Sequence, residues 1–163
     1  MKRAICLILV ISFFLSGCSF FGERIKNPVT FYYLCDNYRE DLCCVIASET
    51  REASGHVGDL PYLLALYLIG PTSEEPLSTP YPGLLLSAQQ SGNHIDLELK
   101  NLPASVSEID FSLICACLAL TSLDITGAED ITIYSGDRIR TLNRESLTLY
   151  DTDVEPISTE DTK

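Results

Sequence analysis

Between Leu60 and Gly83 the chain reads Leu-Pro-Tyr-Leu-Leu-Ala-Leu-Tyr-Leu-Ile-Gly-Pro-Thr-Ser-Glu-Glu-Pro-Leu-Ser-Thr-Pro-Tyr-Pro-Gly, and this stretch leaves little freedom. Leu60, Leu63, Leu64, Tyr67 and Leu68 recur at three- and four-residue intervals, the spacing of one buried helix face. Asp59 is placed to cap the first turn, where Pro61 costs nothing because those amides lack helical partners. Gly70-Pro71 then stops the helix, glycine as a left-handed cap and proline as a residue that cannot continue the ladder. Pro76, Pro80 and Pro82 follow too closely for a helix or a central strand, so a proline-punctuated loop runs to Gly83.

The first residues read as a processing signal. Lys2 and Arg3 form a basic region, and Ala4 to Leu15 is apolar but short for a membrane span. Leu15-Ser16-Gly17-Cys18 matches a bacterial lipobox, which predicts lipidation of Cys18, cleavage before it and a short tether through residue 27. Without Lys2 and Arg3 the balance is 9 basic against 23 acidic residues, a net charge near −14. Such a surface argues against nucleic acid and against docking on anionic headgroups; it is compatible with a cationic protein partner or bound divalent ions, and a plain solvated surface explains it better than either. Residues 151–163 are acidic and poor in apolar side chains, which predicts a disordered tail.

Strand patterns run from Pro28 to Cys35 and from Leu42 to Ser48, the first apolar on both faces and therefore expected at the centre of a sheet. Glu49 to Gly58 reads as a polar loop. Leu84–Gln89 and Ile95–Leu99 flank Ser91-Gly92-Asn93, a hairpin signal, and Asp96 and Glu98 give the second strand one wet face. Ser105 and Glu108 have capping-box spacing, opening a helix over roughly Ser107 to Leu123 that Gly127 closes. Asp130 to Ser135 is a further strand, and Arg138 to Tyr150 supplies a terminal hairpin or edge strands. The order β-β-α-β-β-α-β predicts an α+β domain over 28–150, a two-layer sandwich of one mixed sheet and two helices.

Several of these pieces together resemble the GerMN domain, a family named for sporulation and spore-germination lipoproteins. They are Phe31-Tyr32-Tyr33, the helix with Leu66-Tyr67-Leu68-Ile69-Gly70-Pro71, the loop to Pro82-Gly83, Ile95-Asp96-Leu97, and the second helix followed by Ile131-Thr132-Ile133 and Gly136. The family's usual Ser-Pro-Ile-Pro appears here one residue looser, as Ser78-Thr79-Pro80-Tyr81-Pro82. The resemblance covers roughly residues 28–137 and implies a ring-building-motif-like fold. It further implies a membrane-anchored, extracytoplasmic lipoprotein acting as a non-catalytic assembly component of the envelope, in sporulation or germination, with envelope or sporulation-channel proteins as partners. No catalytic residues come with it.

The residues themselves point the same way. Five cysteines remain after Cys6 and Cys18, namely Cys35, Cys43, Cys44, Cys115 and Cys117, and an odd number is not a disulfide framework. Vicinal and one-apart pairs fit zinc poorly, and on a helix Cys115 and Cys117 point about 200° apart, so they read as buried thiols. His56 and His94 read as turn or surface residues. Asp96 and Glu98 would suit an ion or acid–base pair, but a solvated strand face explains them as well. No phosphate loop or hydrolase motif is present, so neither a cofactor, a metal nor an enzymatic activity is expected. Tyr62 on the helix and Pro76, Pro80, Tyr81 and Pro82 in the loop after it are the candidate interaction residues, since exposed loops between rigid elements often carry recognition. A pocket lined by Tyr32, Tyr62 or Tyr81 would instead favour a wall- or small-ligand-binding module with peptidoglycan as partner. Convergent carboxylates there would favour a wall hydrolase.

Overall fold

The computed structural model describes residues 25–36, 45–53, 55–73, 76–78, 81 and 83–147. Cys18, the leader, Cys43, Cys44, Thr79, Pro80, Pro82 and the acidic tail lie outside them. The elements run β1 (Pro28–Leu34), β2 (Ile46–Glu52), α1 (Leu60–Leu68), β3 (Leu85–Ser91), β4 (His94–Leu99), α2 (Glu108–Thr126), β5 (Asp130–Ser135) and β6 (Arg138–Asn143).

The class is α+β, with two helices and two sheets among the described residues. Strands β3-β4-β5-β6 form a four-stranded mixed sheet, antiparallel except for the parallel β4–β5 pair. That parallel pair is joined through α2, as a parallel connection requires. Strand β1 does not sit at the centre of this sheet. Among the described residues it pairs with β2 alone, antiparallel. Its other edge faces α2, where the Tyr32 amide donates to the Thr121 hydroxyl at 3.0 Å. A helix side chain thus satisfies a group that a neighbouring strand would otherwise bind.

Strand β2 lies further along the chain than its apolar pattern predicts. It spans Ile46–Glu52, running through residues whose polarity suggested a loop. Register explains the shift: Phe31 faces Glu49 and Val29 faces Arg51, so both charges share the inward side of β1. They form an ion pair under the first helix, described below.

Helix α1 is capped as its sequence predicts, with the Tyr62 amide donating to Asp59 at 3.2 Å. Its buried side is Leu60, Leu63, Leu64 and Tyr67. Helix α2 opens on Ser107, whose hydroxyl accepts from the Asp110 amide, so the capping pair is Ser107 with Asp110 instead of Ser105 with Glu108. Gly127 closes α2 at φ +71°, a left-handed conformation that costs glycine little. Helix α2 packs on β1 and also on α1, β5 and β6. Being enclosed on several sides, it buries Phe111, Cys115, Cys117, Leu118, Ala119 and Leu123 rather than one narrow stripe. Ile95, Leu97, Ile131 and Ile133 from the sheet complete one continuous core with Phe31 and Tyr33. The helices therefore cover one face of the four-stranded sheet. His94, Asp96, Glu98 and Tyr134 lie on the opposite face.

Candidate functional site

The end of α1 is held by groups from the first hairpin. Gly70, at φ +106°, turns the chain out of the helix. The last carbonyls of a helix need donors and carry partial negative charge. Helix α1 has no basic residue in its last turn, and Arg51 on β2 supplies one. Its Nη2 donates to the Gly70 carbonyl at 2.6 Å and to the Tyr33 phenol oxygen at 2.8 Å. Tyr33 passes the contact on, its O–H donating to the Tyr67 carbonyl at 3.2 Å. Burial pushes the Tyr33 phenol up to about 12, so it stays a neutral donor despite Arg51 beside it.

Glu49 balances the charge. Arg51 binds it through Nε at 3.1 Å and Nη2 at 3.0 Å, and both side chains are about nine-tenths buried. The Thr72 amide and hydroxyl also donate to Glu49, fixing the chain just beyond Pro71. Burial raises the Glu49 pKa, but the bonds from Arg51 and Thr72 and the Arg51 charge outweigh it, and the net shift is downward. The guanidinium carbon sits 5.0 Å from the Phe31 ring centroid and 5.7 Å from that of Tyr33. Among the described residues, Arg51 Nη1 is buried without a hydrogen-bond partner. Neither Glu49 nor Arg51 is singled out by sequence pattern. The available signal is their spacing of two, which places both on one side of a strand.

The proline loop is fastened to the same hairpin. The Asp36 amide donates to the Pro76 carbonyl at 2.8 Å, and the Ser78 amide to the Leu34 carbonyl at 2.7 Å. Leu77 forms an isolated bridge with Cys35 and is buried. Of the sequence-predicted interaction residues, Tyr62, Pro76 and Tyr81 are exposed. Pro80 and Pro82 are outside the described residues.

What this corner holds out is the other side of α1. Tyr62, Ala65 and Ile69 are exposed at helical spacing, Ile69 by 75 %, and no residue of Leu60–Leu68 is charged. His56 stacks on Tyr62 with ring centroids 3.7 Å apart, and Val57 beside it is exposed. An apolar stripe without a charged residue is unusual on a solvated helix.

Tyr32, Tyr62 and Tyr81 do not converge on a described pocket. The Tyr32 hydroxyl donates to Asp124 at 2.8 Å, and burial together with that bond pushes its phenol up to about 12. Cys35, Cys115 and Cys117 are buried. Burial pushes Cys115 and Cys117 up to about 12, which leaves them protonated and unreactive at neutral pH.

His94 opens β4 rather than lying in a loop. Its Nδ1 contacts Asp130 and its Nε2 lies 3.3 Å from Asp96, which also accepts from the Tyr134 hydroxyl at 3.3 Å. The bond to Asp130 raises the His94 pKa above the ordinary histidine value, against a smaller lowering by burial, and Asp96 adds to the rise. A raised folded-state value means that the cluster stabilises fully below the unfolded value of about 6.5 and loses this as pH rises through the folded one. The urea midpoint of the wild type is expected to exceed that of His94→Gln by more at pH about 6 than at pH about 8. A gap that widens with pH would reverse the assignment.

Neither a family model nor a curated protein matches this chain. Among solved structures, it is similar to the tandem GerMN domains of the sporulation protein GerM from Bacillus subtilis. The TM-score is 0.46 at 15% identity, covering 76% of this chain. The match spans 43% of that structure, less than half of its length.

Proposed function

We propose that this chain is a lipid-anchored, extracytoplasmic assembly component of the cell envelope, working by protein contact in sporulation or spore germination. The observation that carries the reading is the uncharged outer stripe of α1, with Tyr62 and Ile69 exposed on a helix whose end is locked by Arg51 and Glu49. A rigid helix offering apolar side chains at i and i+7 suits the helix-in-groove mode of recognition. Leu15-Ser16-Gly17-Cys18 supports the anchor, and the lipid would hold the domain within the reach of a short tether. The partner on this face is an envelope or sporulation-channel protein with an apolar groove.

The test is crosslinking in cells that make the protein. A photoreactive residue at position 69 is expected to give a discrete adduct with a membrane-fraction protein, and one at the exposed Glu52 none. Equal yields from the two positions would sink the contact assignment. Cys18→Ser is expected to abolish sedimentation with membranes; a variant that still pellets after a salt wash would remove the anchor from the reading.

A further inference from the structure

The face of the four-stranded sheet turned away from the helices carries a second surface, of opposite character to α1. Register aligns its side chains in rows across all four strands. One row is Ser87, Glu98, Tyr134 and Ile139; the next is Gln89, Asp96, Thr132 and Thr141; the third is Ser91, His94, Asp130 and Asn143. Tyr134 and Ile139 are exposed, as is Leu86 at the bulge beside the first row. Asp130 belongs also to a pocket of about 350 Å³ at the end of the third row, lined by Glu129, Asn143, Arg144 and Glu145 as well. Carboxylates thus run from Glu98 through Asp96 and Asp130 into the pocket, beside exposed apolar side chains.

We infer that this face binds an extended, lysine- or arginine-bearing segment of a partner protein, with one basic side chain entering the pocket beside Glu129 and Asp130. Charge selects this occupant. Apart from His94, whose ring is already engaged by Asp96 and Asp130, the three rows contain no basic residue, and the Arg144 guanidinium at the pocket is bound to Asp124 and the Leu123 carbonyl. The basic residues of β6, Arg138 and Arg140, point to the helix side, where both pair with Glu108 and lie over Phe111. A second copy docking by the same face would set carboxylates against carboxylates, which is disfavoured in a self-complementary contact. A cationic segment gains from each row, while Tyr134, Ile139 and Leu86 supply apolar contact. The inference deepens the contact role proposed above, adding a second partner surface and the chemistry that recognises it.

A fluorescent decapeptide alternating lysine and valine is the probe, titrated by anisotropy into the purified lipid-free protein, with a glutamate–valine decapeptide as counterpart. The lysine peptide is expected to bind, with affinity falling at least about tenfold in the double variant Asp96→Asn, Glu98→Gln and falling likewise as salt screens the exposed charges. The two side chains are on the solvated face, and unchanged circular dichroism will certify the fold. Equal binding of the two peptides, or binding insensitive to the double variant, overturns the inference. So does self-association of the protein weakened by the same substitutions, which would assign the face to a second copy. The outcomes separate from the α1 test: lysine-peptide binding without a position-69 adduct sinks the α1 contact alone, and the converse sinks this face alone.

Discussion

Replacing Arg51 with alanine is expected to lower the unfolding free energy of the domain by about 3–5 kcal/mol, the cost of removing one partner of a buried ion pair. Three losses coincide. Glu49 keeps its bonds to Thr72 but is left as an uncompensated carboxylate about nine-tenths buried. The Gly70 carbonyl loses a donor at 2.6 Å. The rings of Phe31 and Tyr33 lose the cation lying over them. Urea unfolding checks the magnitude, and a double-mutant cycle checks the cause. In the Arg51→Ala background, Glu49→Leu should be neutral or stabilising, because it removes the orphaned charge; in the wild-type background it should be strongly destabilising. Additive effects would mean that the pair is not coupled.

The same pair sets an acid dependence. Glu49 has a folded-state pKa below its ordinary value of 4.5, so its contribution is present above that value and lost as pH falls through the folded one. The wild type should therefore lose more stability on acidification from pH about 5 than the variant with both Arg51→Ala and Glu49→Leu.

Gly70→Val is expected to cost about 1–3 kcal/mol, the range for a side chain forced into a sparsely populated backbone region. Gly70 is buried, and at φ +106° a β-branched residue is strained whatever the surrounding space. The substitution would also move the carbonyl that Arg51 holds, so its effect should shrink in the Arg51→Ala background. Pro71→Ala should cost less, since it mainly loosens the unfolded chain. Equal losses from Gly70→Val and Pro71→Ala in urea unfolding would mean that the left-handed cap does not end the helix.

The Gly-Pro corner was legible because its chemistry is local: Asp59, Pro61 and Gly70 each act within a turn of their own position. The same holds for Gly127 and for the wet face of β4. What was not legible depended on partners distant in the chain. Glu49 and Arg51 look like loop residues until register sets them opposite Phe31 and Val29, and their polarity becomes an ion pair beneath α1. Strand β1 looks central because both of its faces are apolar, yet one edge meets a helix, where Thr121 takes the Tyr32 amide. No pattern in β1 alone reveals that a hydroxyl some ninety residues later fills the place of a strand. His94 likewise reads as a turn residue until β5 brings Asp130 beside it.

For the site, Tyr62 and Tyr81 were readable as exposed aromatics, whereas Ile69 was not singled out. It follows the buried turn Leu63, Leu64 and Tyr67 and only geometry shows it facing out. The most direct measurement uses that residue. In the double variant Tyr62→Ser, Ile69→Lys, the urea midpoint should stay close to that of the wild type, because both side chains are exposed and a cation suits a helix C-terminus. Membranes carrying either protein are extracted in mild detergent and separated by sedimentation. The wild type is expected in a high-mass fraction with its partner, and the variant in a fraction of its own mass. A variant that folds as the wild type does and still sediments with the complex would contradict the assignment of α1 as the contact face.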